Sequence, residues 1–152
     1  MGLDTSHDAW YGPYGSFREF RELVGRAAGL PYRVINKPGH YDHGTFTVDI
    51  DWDLYDIENL QGRWHKKRPV WQRKGDIYGV PKQDDVLYLI VHSDADGQLR
   101  NGYLPRLKAR LEELEPRYNE LAHGNIYAMG SLQRFIEGID RAIETGEHIT
   151  FS

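Results

Sequence analysis

Cysteine is missing altogether from the 152 residues. Disulfide frameworks, thiolate metal sites and cysteine nucleophiles are thereby excluded. A chain without thiols depends on no oxidising compartment, which suits a cytoplasm. Long hydrophobic runs are missing too. The longest, Val86–Val91, falls far short of the roughly 20 apolar residues that span a bilayer, so no membrane partner is expected. The opening "MGLDTSHDAW" has neither a basic stretch nor an apolar one, so no secretory leader is expected either. Excess positive charge is lacking as well: the formal net charge of −4 argues against general nucleic-acid binding. The GxSxG, Walker A and dinucleotide GxGxxG patterns do not occur, which removes the commonest local signatures of serine hydrolases and nucleotide-dependent enzymes. Repeats and low-complexity tracts are also wanting, so residues 1–152 are read as one α+β domain.

What is present alternates between helical and extended patterns. Residues 1–15 combine glycine with aromatics and read as an irregular arm or short strand. "SFRE", Ser16 to Glu19, is a capping-box pattern that opens a helix at Ser16. Phe17, Phe20, Leu23, Val24 and Ala27 form its stripe, and Gly29-Leu30-Pro31 ends it. Phe46–Asp53 alternates strictly and predicts a half-buried strand. Val86–Val91, apolar on both faces, reads as a central strand. Residues 54–80 read as loops with room for a hairpin.

Leu104, Leu107, Leu111 and Leu114 mark a second helix, with Pro105 tolerated in its first turn and Pro116 ending or kinking it. A third runs from Ser131, a potential cap, to Thr145, and Gly146 closes it. Its stripe is Leu132, Phe135, Ile136, Ile139 and Ile143. His148–Phe151 reads as a final edge strand. The architecture expected is a small mixed β-sheet with about three helices packed on it.

The charge distribution carries the functional signal. Arg63 to Lys74, "RWHKKRPVWQRK", holds six of the nineteen Lys/Arg residues and no acid. Arg63, Lys66, Lys67 and Arg68 can hold phosphates, while Trp64 and Trp71 can stack a base, worth about 1–3 kcal/mol per base. The alternative is a solvated loop whose two tryptophans reach into the core.

"HSDADGQL" follows Val91 and half-matches an EF-hand loop, but His92 replaces the first carboxylate and Tyr103 stands where the closing Glu belongs. His92, Asp94 and Asp96 are then ligands to a divalent metal or partners of a sugar hydroxyl, or else Asp94 and Asp96 belong to an Asp-Gly turn at Gly97. Asp49, Asp51 and Asp53 share a strand face about 7 Å apart, either as a solvated edge or as partners of the basic run. His40, Asp42 and His43 have a chelating spacing without a helix to phase them.

The stretches Met1–Phe17 and His92–Leu114 resemble a group of small proteins carried by tailed phages and prophages. The likeness rests on the Met-Gly-Leu-Asp start with its His and Trp, and on a His-Ser-Asp-x-Asp-Gly element leading into a leucine-rich helix. Ala95 stands where that group has Cys, and Gln98 where it has Glu. The resemblance implies a phage accessory protein acting on host defence from the cytoplasm of a bacterial host.

Joined to the residue reading, it gives a sponge that sequesters a nucleotide-derived signal. The binding set is Trp10, Arg63, Trp64, Lys66, Lys67, Arg68, Trp71, Asp94 and Asp96, in a site of the kind often shared between subunits of a homo-oligomer. The sponge needs no cofactor. A first alternative is a phosphodiesterase in which His7, Asp8 and His92 hold a divalent metal. A second is an inhibitor of a host protein acting through a Tyr/Trp-rich surface.

Overall fold

A computed structural model describes residues 2–30, 32–34, 48–50, 84–91 and 97–152. The chain is α+β. A hairpin comes first, β1 (Gly2–Asp4) and β2 (Tyr11–Pro13), paired antiparallel around a 3₁₀ turn at Ser6–Asp8. Helix α1 (Tyr14–Ala27) follows, then β3 (Tyr32–Val34) paired antiparallel with β4 (Val48–Ile50). Further on come α2 (Val86–Val91), β5 (Gln98–Leu99) and a 3₁₀ turn at Asn101–Tyr103. Helices α3 (Leu104–Leu121) and α4 (Ser131–Thr145) lead to β6 (Ile149–Thr150), the antiparallel partner of β5. Among the described residues the strands form three two-stranded ribbons, and no helix is long and apolar enough to cross a membrane.

The three long helices pack into one apolar core. Phe17, Phe20 and Val24 of α1 meet Leu107, Leu111 and Tyr118 of α3 and Leu132, Phe135 and Ile139 of α4, all nearly or fully buried. Each such side chain contributes about 1.5–3 kcal/mol on leaving water. Phe20 sits at the centre, its ring 5.4 Å from Phe135, 6.0 Å from Tyr118 and 5.2 Å from Trp10. The Tyr118 hydroxyl donates to the Ala128 carbonyl at 2.9 Å, so its buried polar tip is satisfied.

Four local expectations need correction. Val86–Val91 is a helix, not a central strand. An apolar run of this length has no periodicity to separate the two. The deciding residue lies outside it: Asp84 Oδ1 accepts the Val86 amide at 3.1 Å and the Asp84 carbonyl accepts that of Leu87 at 3.1 Å. Helix α1 begins at Tyr14, not Ser16, and has no capping box. Pro13, whose φ is already fixed, precedes it, and Glu19 instead accepts from Asn125 Nδ2 at 2.7 Å. Of the two readings of Pro116, ending or kinking α3, the first fails, since the helix continues to Leu121. Ser131 does not cap α4; Gly130 holds that position at φ 85°, and the serine hydroxyl donates back to the Tyr127 carbonyl at 2.9 Å.

Three other elements agree with the sequence pattern. Helix α4 has the expected limits, and Gly146 closes it in a left-handed conformation at φ 68°. β6 falls within His148–Phe151 and β4 within Phe46–Asp53. The flanks of that second stretch, the expected hairpin at 54–80 and the His40–His43 cluster lie outside the described residues.

Candidate functional site

The described candidate residues lie in the N-terminal arm. Thr5 closes the loop from β1 to β2. Its amide donates to the Trp10 carbonyl at 3.1 Å and its hydroxyl accepts the Trp10 amide at 2.7 Å. Closing so short a loop forces His7 and Asp8 into left-handed conformations, at φ 61° and 53°. Such backbone costs a non-glycine residue about 1–3 kcal/mol and persists only where its surroundings hold it. Arg141 of α4 does so, donating from Nε to the His7 carbonyl at 2.8 Å and from Nη2 to that of Asp8 at 3.4 Å.

The His7 imidazole is committed at both nitrogens. Nδ1 lies 2.9 Å from the Ser6 hydroxyl; Nε2 lies 3.4 Å from Glu147 Oε1 and 3.3 Å from the Thr145 hydroxyl. A proton on Nε2 suits the carboxylate, which leaves Nδ1 to accept from Ser6. Ser6 Oγ also accepts the Thr150 amide at 2.9 Å, so the relay ties the arm to β6. The hydrogen bonds from Thr145 and then His7 hold the Glu147 carboxyl below its ordinary value.

Trp10 is a core residue with 6% of its surface exposed. Its ring stacks on Phe20 at 5.2 Å and tilts against Phe17 at 5.1 Å. Its Nε1 is buried and has no hydrogen-bond partner among the described residues. A Cβ built on Gly12, whose φ is 149°, would lie 3.8 Å from Nε1.

Of the expected site, then, the structure brings His7, Asp8 and Trp10 into one arm and gives each a different task. His7 anchors, Asp8 is held by its backbone, and Trp10 packs while presenting one unsatisfied donor. Arg63, Trp64, Lys66, Lys67, Arg68, Trp71, His92, Asp94 and Asp96 lie outside the described residues. Among the described residues no group of three or more His, Asp or Glu side chains is arranged to hold a metal ion. Ser6, Arg141, Thr145 and Glu147 were not singled out from the sequence. Their only signal is proximity in space, since they belong to opposite ends of the chain.

No protein-family model, curated protein or solved structure matches the chain.

Proposed function

We propose that this chain binds and sequesters a nucleotide-derived small molecule, as a phage accessory protein countering a host's defence signal. The observation that carries the reading is the run Arg63–Lys74, which sets six cations beside Trp64 and Trp71 with no acid among them. Cations answer phosphates, flat rings answer a base, and the carboxylates of Asp94 and Asp96 answer ribose hydroxyls. Binding is favoured over metal-assisted hydrolysis because His7, one of the three ligands a metal would need, has both ring nitrogens within hydrogen-bonding distance of protein partners. A homo-oligomer with its site between subunits belongs to the same proposal.

The test is retention without turnover. The protein is incubated with cyclic nucleotides and ADP-ribose derivatives, freed of excess, heat-denatured, and the supernatant chromatographed. Intact ligand should return from the wild type and about tenfold less from Trp64→Ala, given a stacking contribution of about 1–3 kcal/mol. A degraded product that a chelator abolishes would replace the sponge with the hydrolase.

One observation favours the host-protein inhibitor as a second reading. Ile126, Tyr127 and Met129 are exposed side by side on the loop between α3 and α4, Tyr127 at 81%. The loop beneath them is held by the Asn125 side chain, which accepts the amides of Tyr127 and Ala128 at 3.1 Å each. A rigid, exposed aromatic–aliphatic tip is the composition of a binding hot spot.

A further inference from the structure

Asn101 clasps the entry of α3 to the exit of α4. Its backbone N–H donates to His148 Nδ1 at 2.8 Å, and its side-chain Nδ2 donates to the Gly146 carbonyl at 2.7 Å. Gly146 closes α4, so its carbonyl lies at the negative end of that helix's dipole, where a donor is favoured and an anion is not. Glu147, the next residue, already brings one carboxylate to this end of the helix.

The residue after Asn101 makes the side-chain donor chemically short-lived. Asparagine is among the thermolabile residues, because the backbone nitrogen that follows it is placed to attack its side-chain carbonyl carbon. A side chain on the attacking residue hinders that approach. Of the asparagines in the chain only Asn101 precedes a glycine. Asn101 and Gly102 are both exposed, and a Cβ built on Gly102 finds nothing within 4 Å, so packing does not confine this peptide unit. The Gly102 N–H is second in the 3₁₀ turn Asn101–Tyr103, where no carbonyl of the turn reaches back to accept it.

We propose that Asn101 is a self-deamidation site, and that the reaction releases the clasp between α3 and α4. The Gly102 nitrogen gives its proton to solvent base and bonds to Asn101 Cγ. The Cγ–Nδ2 bond breaks, and Nδ2 leaves as ammonia with a proton taken from solvent. Water then opens the resulting cyclic imide at either of its carbonyls. One opening gives aspartate; the other gives isoaspartate, in which the main chain runs through Cβ and Cγ. Both products lack the Nδ2 donor, and aspartate sets a carboxylate against the Gly146 carbonyl. While Gly146 holds the amide, Cγ is kept from turning onto the nitrogen, so the reaction proceeds from openings of the clasp and makes each completed one permanent. The release requires no ligand and stands apart from the nucleotide reading.

The test ages the full chain for days, warm and at mildly alkaline pH, beside a sample kept cold and mildly acidic. Trypsin frees Asn101–Arg106 as one peptide, and mass spectrometry reads its amide-to-acid mass change. The aged sample should show that change in a pair of chromatographically separate peptides, aspartyl and isoaspartyl, formed faster as the pH rises. Gly102→Ala should fold like the wild type, since its methyl group meets nothing and its φ is not left-handed, and should slow the change several-fold. Unfolded in urea, where Gly146 holds nothing, the wild-type chain should react several-fold faster than when folded. Asn101→Asp reproduces one product and should lower the Tm by about 3 °C.

A wild-type peptide that stays wholly in the amide form on ageing overturns the site, whether or not any variant folds. So does a Gly102→Ala chain that ages as fast as the wild type. An Asn101→Asp chain with the wild-type Tm, or folded and unfolded chains that age at one rate, overturns the release of the clasp.

Discussion

Gly138 lies where α4 crosses the N-terminal arm, and no other described glycine is so tightly confined. A Cβ built on it would collide with both the Cβ and the Cα of Ala9, and Ala9 is fully buried. Backbone cannot step aside as a flexible side chain can, so the missing methyl group is what lets the arm lie against the helix. Gly138→Ala tests this. In an unconstrained helix the change would stabilise by up to ~1 kcal/mol through propensity alone. Here overpacking should reverse the sign and destabilise the fold by about 2 kcal/mol. Urea denaturation with an unchanged slope and a lowered midpoint is the expected result. A raised midpoint would mean that the arm does not rest on α4. Since Ala9 precedes Trp10, the same substitution should also disturb the indole's seat on Phe17 and Phe20.

At the scale of elements, helices were legible wherever an apolar stripe persisted over several turns. Leu132, Phe135, Ile136 and Ile139 give α4 its buried face, and Leu104, Leu107, Leu111 and Leu114 give α3 its own. Legibility failed where a distant partner decided. The Val86–Val91 run becomes helical with Asp84 as its N-terminal anchor, and Asp84 is itself pinned by Arg110 of α3 through Nε at 3.0 Å and Nη2 at 2.8 Å. Nothing within the run signals that α3 will supply a guanidinium.

The far end of α2 is held similarly, by Arg21 of α1 donating to the Ile90 carbonyl at 3.1 Å. Asp84→Ala should therefore loosen α2 as a unit. It removes a cap worth ~1 kcal/mol and leaves Arg110 facing a buried gap. Arg110 is itself 27% exposed, so water recovers part of its loss and the total should be about 2 kcal/mol. Hydrogen exchange at Leu87 and Leu89 should accelerate by more than at Leu107. Equal acceleration at all three would show that Asp84 supports the whole fold rather than this helix.

The whole molecule is closed by joining its two described ends. Asp4 and Ser152 exchange backbone hydrogen bonds at 3.2 and 3.0 Å, Phe151 donates to Gly97 at 3.0 Å, and the Ser6 hydroxyl reaches across to Thr150. Arm, β5 and β6 thus form one seam beneath α4, and the relay from Ser6 through His7 to Glu147 is its polar lock. This seam was invisible in the sequence because hydrophilic side chains more than a hundred residues apart leave no periodic trace. Its pH response follows from the Glu147 carboxyl, which the Thr145 hydroxyl first and the His7 imidazole second hold below the ordinary value of 4.5.

A carboxyl whose pKa falls on folding favours the folded state while it is ionised. Its contribution is complete above the ordinary carboxylate range and fades as the pH drops through that range to the lowered value. The wild type should therefore exceed Glu147→Gln in urea midpoint near neutral pH, and the two should converge as the pH falls through the ordinary carboxylate range and past the lowered value. Because Glu147 is well exposed, high salt should shrink the neutral-pH gap. A gap that persists undiminished into acid would assign the difference to hydrogen bonding by the uncharged group and remove the charge from the lock.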